Sequence, residues 1–215
     1  MHKHVRIQAE RSNSKRGVNI MKKLNFSVTF SAILVLVSLG LVMNFAVGYA
    51  SIEGADVPEA EGKLLITNAG QGPGGKMGRL LVSRSEADVE YEYMAEPLPE
   101  DLEEYSPETM LVMIGSSSKG LGASGITIDD EINRLNDMIE KAKEMEIQII
   151  AVHIGGEGRR GKPGSANERS IGAIAPHADH ICVVEASNKD DRFTEISEEN
   201  EIPLTVMGTA RDLMT

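Results

Sequence analysis

The chain has 215 residues, 41 % hydrophobic and 26 % charged, a composition typical of a globular protein with one core. Its 22 Lys and Arg and 33 Asp and Glu give a net charge of −11. Residues 1–50 hold seven basic residues and one acidic residue, so residues 51–215 hold 15 basic and 32 acidic. Such an acidic body excludes nucleic acid as an expected partner, because binding to phosphates needs Lys and Arg. The single cysteine, Cys182, lies in an apolar run, so no intramolecular disulfide can form and we expect a buried thiol.

The N-terminal region has the layout of an export signal. Two lysines precede an uncharged, largely apolar stretch, residues 24–50, which ends in small residues. This predicts a signal peptide cleaved after Ala50, or alternatively a membrane anchor, because the stretch is long enough to cross the ~30 Å hydrocarbon core. Both interpretations place the body outside the cytoplasm, since the lysines stay on the cytoplasmic side. Residues 1–20 fit poorly before such a signal, and we interpret them as a non-native extension with Met21 as the true start.

The rest of the chain divides into a linker and one domain. Residues 51–62 are small, acidic and contain proline, which predicts the linker, and residues 63–215 form the domain. A segment that alternates between apolar and acidic residues, Val89–Met94, predicts an edge strand with one face in water. Apolar runs predict five further strands, at Lys63–Asn68, Met110–Gly115, Ile147–Ile154, His180–Glu185 and Pro203–Met207.

Helix signals separate these strands. Asn200 suits the left-handed residue that ends the last helix. Helix N-termini are predicted at Thr127 with Asp130, at Ser165 with Glu168, and at Asp190 or Asp191. Alternating strands and helices predict an α/β fold, a single doubly wound parallel sheet that is flavodoxin-like or Rossmann-like. The half-exposed second strand favours the order 2-1-3-4-5-6 over the six predicted strands.

A ligand in such a sheet binds beyond the carboxyl ends of the strands. Polar, glycine-rich segments follow four of the strands, at residues 68–75, 115–125, 153–164 and 185–190. Glycines let backbone N–H groups approach a ligand, and cations concentrate here in an otherwise acidic body, so we predict a small anionic or polar ligand. The candidate binding residues are Asn68, Gln71, Ser116, Ser117, Ser118, Lys119, His153, Arg159, Arg160, Asn188 and Lys189.

An enzyme is the alternative to a binding or sensing domain. His153, oriented by Glu157 or Glu185, could act as the acid or base of a small hydrolase or transferase, although the nucleophile motif G-x-S-x-G is missing. We predict no metal site, because ligand-spaced His, Asp and Glu are too few, and no cofactor. ATP chemistry is disfavoured because a P-loop is missing. A structural partner in the cell envelope is a third interpretation, and it leaves the protein partner unknown.

Several candidates also have a purely structural interpretation. His153 lies at the end of an apolar strand, where a hydrogen-bonded core histidine is the common case. Arg159 and Arg160 could pair with acidic residues at the surface. His177 and His180 flank a strand start at the opposite edge of the sheet, and we expect both at the surface.

The loops GSSSKGLGASGI and HIGGEGRRG, with NKDDRFTEI and NEIPLTV downstream, resemble an uncharacterised family of exported bacterial proteins, a domain of unknown function. The resemblance covers about Lys63–Met207, and the long loop strings make it specific. It implies an exported α/β domain with no assigned activity. The sequence departs from the family pattern at KPGSANE and at Asp191, where glycine is expected.

Overall fold

A computed structural model describes residues 52–214 of the chain. Its strands form one sheet in the order β1-β7-β6-β5-β4-β2-β3. Neighbouring strands are parallel except β1, which runs antiparallel to β7. The strands are β1 (Glu53–Gly54), β2 (Leu64–Ala69), β3 (Tyr91–Tyr93), β4 (Thr109–Ile114), β5 (Gln148–His153), β6 (His180–Val184) and β7 (Leu204–Met207).

Helices cover the two faces of the sheet unequally. The α-helices are α1 (Gly74–Val82), α2 (Pro99–Tyr105), α3 (Ser118–Ser124), α4 (Ile128–Glu144), α5 (Ala166–Ile174) and α6 (Arg192–Asn200). Short 3-10 turns lie at Glu157–Arg159, Ala175–His177, Glu185–Ser187 and Ala210–Met214. Buried side chains of α2, α4, α5 and α6 pack on one face, whereas α1 and the last turn reach the other. Within residues 52–214, none of these helices combines the length and the apolarity needed to cross a membrane.

The sheet confirms the predicted α/β class and corrects the predicted strand order. The order differs because of β1, which lies in the segment predicted to be a linker and adds a seventh strand at the β7 edge. Two residues, one of them glycine, give no periodic signal from which a strand could be predicted. The edge position predicted for Val89–Met94 is confirmed, since β3 pairs with β2 alone and its side chains are partly or fully exposed.

The predicted start of α4 is confirmed. The Thr127 hydroxyl accepts from the Asp130 backbone N–H at 3.2 Å, and the Asp130 carboxylate accepts from the Thr127 N–H at 2.8 Å. This reciprocal pair is a capping box, which satisfies two N–H groups that would otherwise lack a partner. The Asp130 carboxylate also accepts from the Thr127 hydroxyl at 2.6 Å. This bond, and then the bond from the Thr127 N–H, lower the pKa of Asp130.

The ends of α6 differ in part from the prediction. Asp191 lies at the predicted N-cap position, but its side chain makes no capping hydrogen bond. The Oδ1 atom of Asn188 accepts from the Phe193 N–H at 2.8 Å instead. Asp191 adopts a left-handed conformation with a φ of 58°, which explains why glycine was expected there. At the other end the left-handed residue is Glu201, with a φ of 55°, and not Asn200.

Two buried residues of β6, Cys182 and His180, test the predictions of burial. Cys182 on β6 is fully buried as predicted, and burial raises the pKa of its thiol to about 12. His180, expected at the surface, is buried at the start of β6, where its Nε2 atom lies 2.8 Å from the Thr205 hydroxyl. The neighbouring strands β5 and β7 enclose it, and burial lowers its pKa. His177 is exposed, as expected.

Candidate functional site

The loops after β2, β4 and β5 meet at the backbone of Ser116. Gln71, in the loop after β2, forms an antiparallel bridge with Ser116. Arg159, after β5, donates from Nη1 to the Ser116 carbonyl oxygen at 2.9 Å. Asn167, in the first turn of α5, accepts from the Ser116 N–H through Oδ1 at 2.6 Å. The structure therefore brings together three loops that were predicted to share this edge.

Two glycines allow the loops to approach so closely. A Cβ atom on Gly72 would collide with the carbonyl oxygen of Gly115, and one on Gly120 would collide with the carbonyl oxygen of Gln71. Any larger residue at either position would separate the loops after β2 and β4. These glycines are therefore required by loop packing rather than by contact with a ligand.

A buried carboxylate fills the glycine-rich turn after β2. Glu131, in the first turn of α4, is 0 % exposed and accepts from the Gly70 N–H at 2.9 Å and from Gln71 Nε2 at 3.1 Å. Arg134 pairs with the same carboxylate at 2.9 Å and also donates to the Asn68 carbonyl oxygen at 3.1 Å. The anion held by this turn is thus a side chain of the protein itself, and Gln71 is engaged with it.

The adjacent residues Arg159 and Arg160 have different surroundings. The Arg160 side chain is 11 % exposed and pairs with Glu168 at 2.8 Å and with Asp190 at 2.7 Å. The guanidinium of Arg159 makes one hydrogen bond among the residues that the structure describes, to the Ser116 carbonyl, and this partly buried side chain has no carboxylate partner there. Of the two predicted ligands for an anion, Arg159 retains free donors and Arg160 is committed to internal ion pairs.

His153 is fully buried and hydrogen-bonded at both ring nitrogens. Its Nδ1 atom lies 2.7 Å from the Ser187 hydroxyl, and its Nε2 atom lies 3.3 Å from the carbonyl oxygen of Arg159. Burial lowers the pKa of His153, so the ring is neutral. In a neutral ring Nε2–H donates to Arg159 and Nδ1 accepts, so the single hydroxyl hydrogen of Ser187 is shared between Nδ1 and the His153 carbonyl oxygen 3.0 Å away.

The carboxylates predicted to orient His153 point elsewhere. Glu157 pairs with Lys189, with Oε1 and Nζ 2.7 Å apart, so each of these candidates has the other as partner. Glu185 is exposed. Both glutamates begin 3-10 turns that leave the sheet edge, and Ser187 is the residue that reaches the imidazole ring.

Two candidate asparagines stabilise local structure. Asn68 is 3 % exposed, its Oδ1 accepts from the Gly75 N–H at 2.6 Å, and its Nδ2 donates to the Tyr93 hydroxyl at 3.1 Å. Asn188 caps α6 and donates from Nδ2 to the Thr194 hydroxyl at 2.8 Å. Both side chains use the amide oxygen and one Nδ2 hydrogen for contacts within the protein.

The serines after β4 have different roles. Ser117 caps α3 by accepting from the Gly120 N–H at 3.2 Å. Ser118 and Lys119 are exposed at the start of α3, and Lys119 has no ion-pair partner in the described part of the chain. The hydroxyl of Ser116 is buried and has no hydrogen-bond partner within residues 52–214.

Three residues of this region, Glu131, Asn167 and Ser187, were not among the predicted site residues. Glu131 lies in the first turn of α4, where a negative charge also suits the helix N-terminus. Its spacing from Leu135, Met138 and Ala142, which are all buried on one face of α4, could have predicted its burial. Asn167 and Ser187 carry no such signal. Across residues 52–214 there is no group of three or more His, Cys, Asp or Glu arranged to hold a metal ion.

The fold and this edge define an α/β domain with a mostly parallel sheet, whose strand-end loops are tied together at Ser116. The sequence matches the domain of unknown function DUF6305 over residues 61–215. The chain therefore belongs to this family, which confirms the resemblance noted in its loops. No curated protein matches it significantly in sequence.

Several solved structures are similar to the chain, with low sequence identities and low TM-scores. The esterase EstA from Pseudoalteromonas sp. is 13 % identical, with 68 % of this chain and 77 % of EstA covered and a TM-score of 0.34. A GDSL-like lipase from Bacteroides thetaiotaomicron is 12 % identical, with 71 % and 72 % covered and a TM-score of 0.35. The SGNH-hydrolase family esterase AlinE4 is 13 % identical, with 68 % and 76 % covered and a TM-score of 0.30. TM-scores below 0.5 assign neither an activity nor a site to this chain.

Proposed function

We propose that this domain binds a small anionic molecule outside the cytoplasm, with Arg159 as the anchoring residue and without catalysis. The observation that carries the proposal is the state of the Arg159 guanidinium. It has five N–H donors, of which one is used within residues 52–214, by the Ser116 carbonyl oxygen. A partly buried guanidinium held in place by a carbonyl is suited to bidentate recognition of a carboxylate or phosphate.

The surroundings of Arg159 support an anionic ligand. Asn167 accepts from Ser116 through its Oδ1 atom, which leaves its two Nδ2 hydrogens without a partner among the described residues. Lys119 lies in the first turn of α3, which begins two residues after Ser116. The body carries about twice as many acidic as basic residues, 32 against 15, and yet no acid pairs with Arg159 in the described part of the chain.

Binding of anions to the purified protein tests this proposal. Inorganic phosphate, sulfate, acetate and succinate serve as probes, with thermal shift as the screen and calorimetry for affinity. Arg159→Gln should weaken binding at least tenfold, since hydrogen bonds between charged groups contribute about 1.5–3 kcal/mol each. Arg159→Lys should give an intermediate loss, because it keeps the charge and loses the planar pair of donors.

Lys162→Gln is the matched control, because Lys162 is an exposed cation of the same loop with no ion pair in the described part of the chain. Its affinity for the probe should stay within twofold of the native protein. Unchanged affinity in Arg159→Gln would refute the assignment of Arg159, and so would an equal loss in Lys162→Gln.

A small hydrolase or transferase that uses His153 is the second candidate, and one contact favours it. The Ser187 hydroxyl lies 2.7 Å from His153 Nδ1, a geometry in which histidine could accept a proton from a serine nucleophile. Ser187 is 1 % exposed and His153 0 % exposed, so the turn Glu157–Arg159 would have to open before a substrate could reach them. Hydrolysis of p-nitrophenyl acetate that is abolished in Ser187→Ala would favour this candidate. Equal background rates in native protein and variant would favour the binding domain.

A further inference from the structure

The outer face of α1 is both basic and apolar. Met77 is 46 % exposed and Leu80 is 40 % exposed. Lys76 and Arg79 are exposed on the same helix, and Arg84 is exposed two residues after its end. None of the three cations has an ion-pair partner among residues 52–214. We call these five residues the α1 surface.

The α1 surface has the opposite charge to the rest of the domain. Residues 69–85 contain no Asp or Glu, whereas residues 51–215 as a whole hold 32 acidic and 15 basic residues. Lys76 and Arg79 therefore form a positive region without acidic neighbours in sequence, and Arg84 lies at its edge, two residues before Glu86. Leu80 and Met77 also remain exposed, although the buried side of the same helix has Leu81 and two glycines packed against the sheet.

An apolar groove lies on the same face of the sheet. Its volume is about 930 Å³, and Arg84 and Arg211 are among its lining residues. Its apolar lining includes Leu64, Val82, Leu111, Ile150 and Leu213. The acidic residues Glu59, Glu86, Asp88 and Glu90 also line it, so the groove is less suited to an anion than the α1 surface.

We propose that the α1 surface docks on a lipid bilayer with anionic headgroups. Lys and Arg at such a surface attract the headgroups, and exposed apolar side chains between them enter the boundary of the acyl chains. The remaining acidic surface is repelled by the same bilayer, so the domain binds in one orientation, with α1 towards the lipid. This proposal is independent of the anion site at Arg159, which belongs to the strand-end loops.

A fluorescent label at position 77 of the full chain tests the proposal. Met77→Cys can be labelled selectively, because the native Cys182 is fully buried and its thiol pKa is raised to about 12. An environment-sensitive dye should shift to the blue with phosphatidylglycerol vesicles and not with phosphatidylcholine vesicles. About 1 M salt, at which charges are screened beyond roughly 3 Å, should reverse the shift.

Leu98→Cys is the matched control. Leu98 is 45 % exposed, and it directly precedes α2, which packs on the opposite face of the sheet. The same dye at position 98 should not respond to either type of vesicle. Attachment through residues 1–50, which hold seven basic residues and one acidic residue, could also favour anionic vesicles, but it would not depend on the charges of α1 and so cannot produce a response that is removed by reversing them.

Charge reversal separates docking from labelling effects. Lys76→Glu combined with Arg79→Glu should raise at least tenfold the vesicle concentration that gives half of the dye shift at position 77. Lys143→Glu combined with Lys162→Glu changes the net charge equally at exposed positions outside the α1 surface and should have less than a threefold effect. The proposal is overturned by no shift at position 77, by equal shifts at both labels, by equal shifts with both lipids, or by a shift that survives charge reversal at α1.

Discussion

Replacing Glu131 with Gln should destabilise the domain far more than any exposed charge change. The native carboxylate accepts four donors on two oxygens, from Gly70, from Gln71 and twice from Arg134. The glutamine amide would have only one acceptor oxygen, and its NH2 group would face N–H donors of the neighbouring residues. The side chain of Arg134 is 9 % exposed, so it would lose its counter-charge in a buried position. Breaking a buried pair from one side costs roughly 3–5 kcal/mol.

Thermal unfolding followed by circular dichroism measures this cost. A domain of this size loses about 2–4 °C of Tm per kcal/mol, so Glu131→Gln should lower the Tm by about 6–20 °C. Glu195→Gln is the control, because Glu195 forms an exposed i,i+3 pair with Arg192 and should change stability by about 0.5 kcal/mol or less. Glu131→Leu with Arg134→Met should recover most of the loss, because no charge is then left buried. A loss below about 1 kcal/mol in Glu131→Gln would refute the assigned role.

Three further predictions concern stability and accessibility. Burial keeps the pKa of His153 below 6.5. Below that pH the unfolded chain therefore binds more protons than the folded chain, and the free energy of unfolding falls as the pH decreases, by up to about 1.4 kcal/mol per pH unit. Urea unfolding of His153→Gln from pH 7 to 5 should show a shallower fall, and parallel curves would contradict this. Glu201→Gly should raise stability by about 0.5–1 kcal/mol, because Glu201 is left-handed, whereas Glu199→Gly inside α6 should lower it by a similar amount. Cys182 should react with a thiol reagent only after unfolding, so rapid native labelling would contradict its burial.

The sheet could be predicted from sequence because most of its strands are continuous apolar runs. A parallel strand buried on both faces needs apolar residues throughout, and Thr109–Ile114 and His180–Val184 meet that need. The strand Glu53–Gly54 could not be predicted, because its formation depends on an open edge of β7 rather than on its own residues. The buried state of His180 was missed for a related reason, since position in the sheet decides it and not residue type.

The location of the candidate site could be predicted from the sequence, but most of its side-chain contacts could not. The carboxyl ends of parallel strands meet at one edge of the sheet, and this rule correctly predicted that Gln71, Ser116 and Arg159 lie together there. Adjacent arginines look equivalent in a sequence, and only the fold shows that Arg160 meets two carboxylates while Arg159 meets a carbonyl. The burial of Glu131 could have been predicted from its helical spacing, but its partner could not, because only the fold brings the Gly70 N–H to its carboxylate.

The pairing of β1 with β7 has a consequence for the order of events during folding. Thr205 donates its hydroxyl to the Ala55 carbonyl oxygen, a contact between residues 150 positions apart. Synthesis begins at the N-terminus, so Glu53–Gly54 stays unpaired until β7, the last strand, has been made. Pairings between residues so far apart in sequence form slowly. Until then the outer side of β7 offers unpaired backbone groups to any neighbouring chain. Loss of residues 52–56, for example by proteolytic trimming, should therefore promote self-association while leaving the central strands intact.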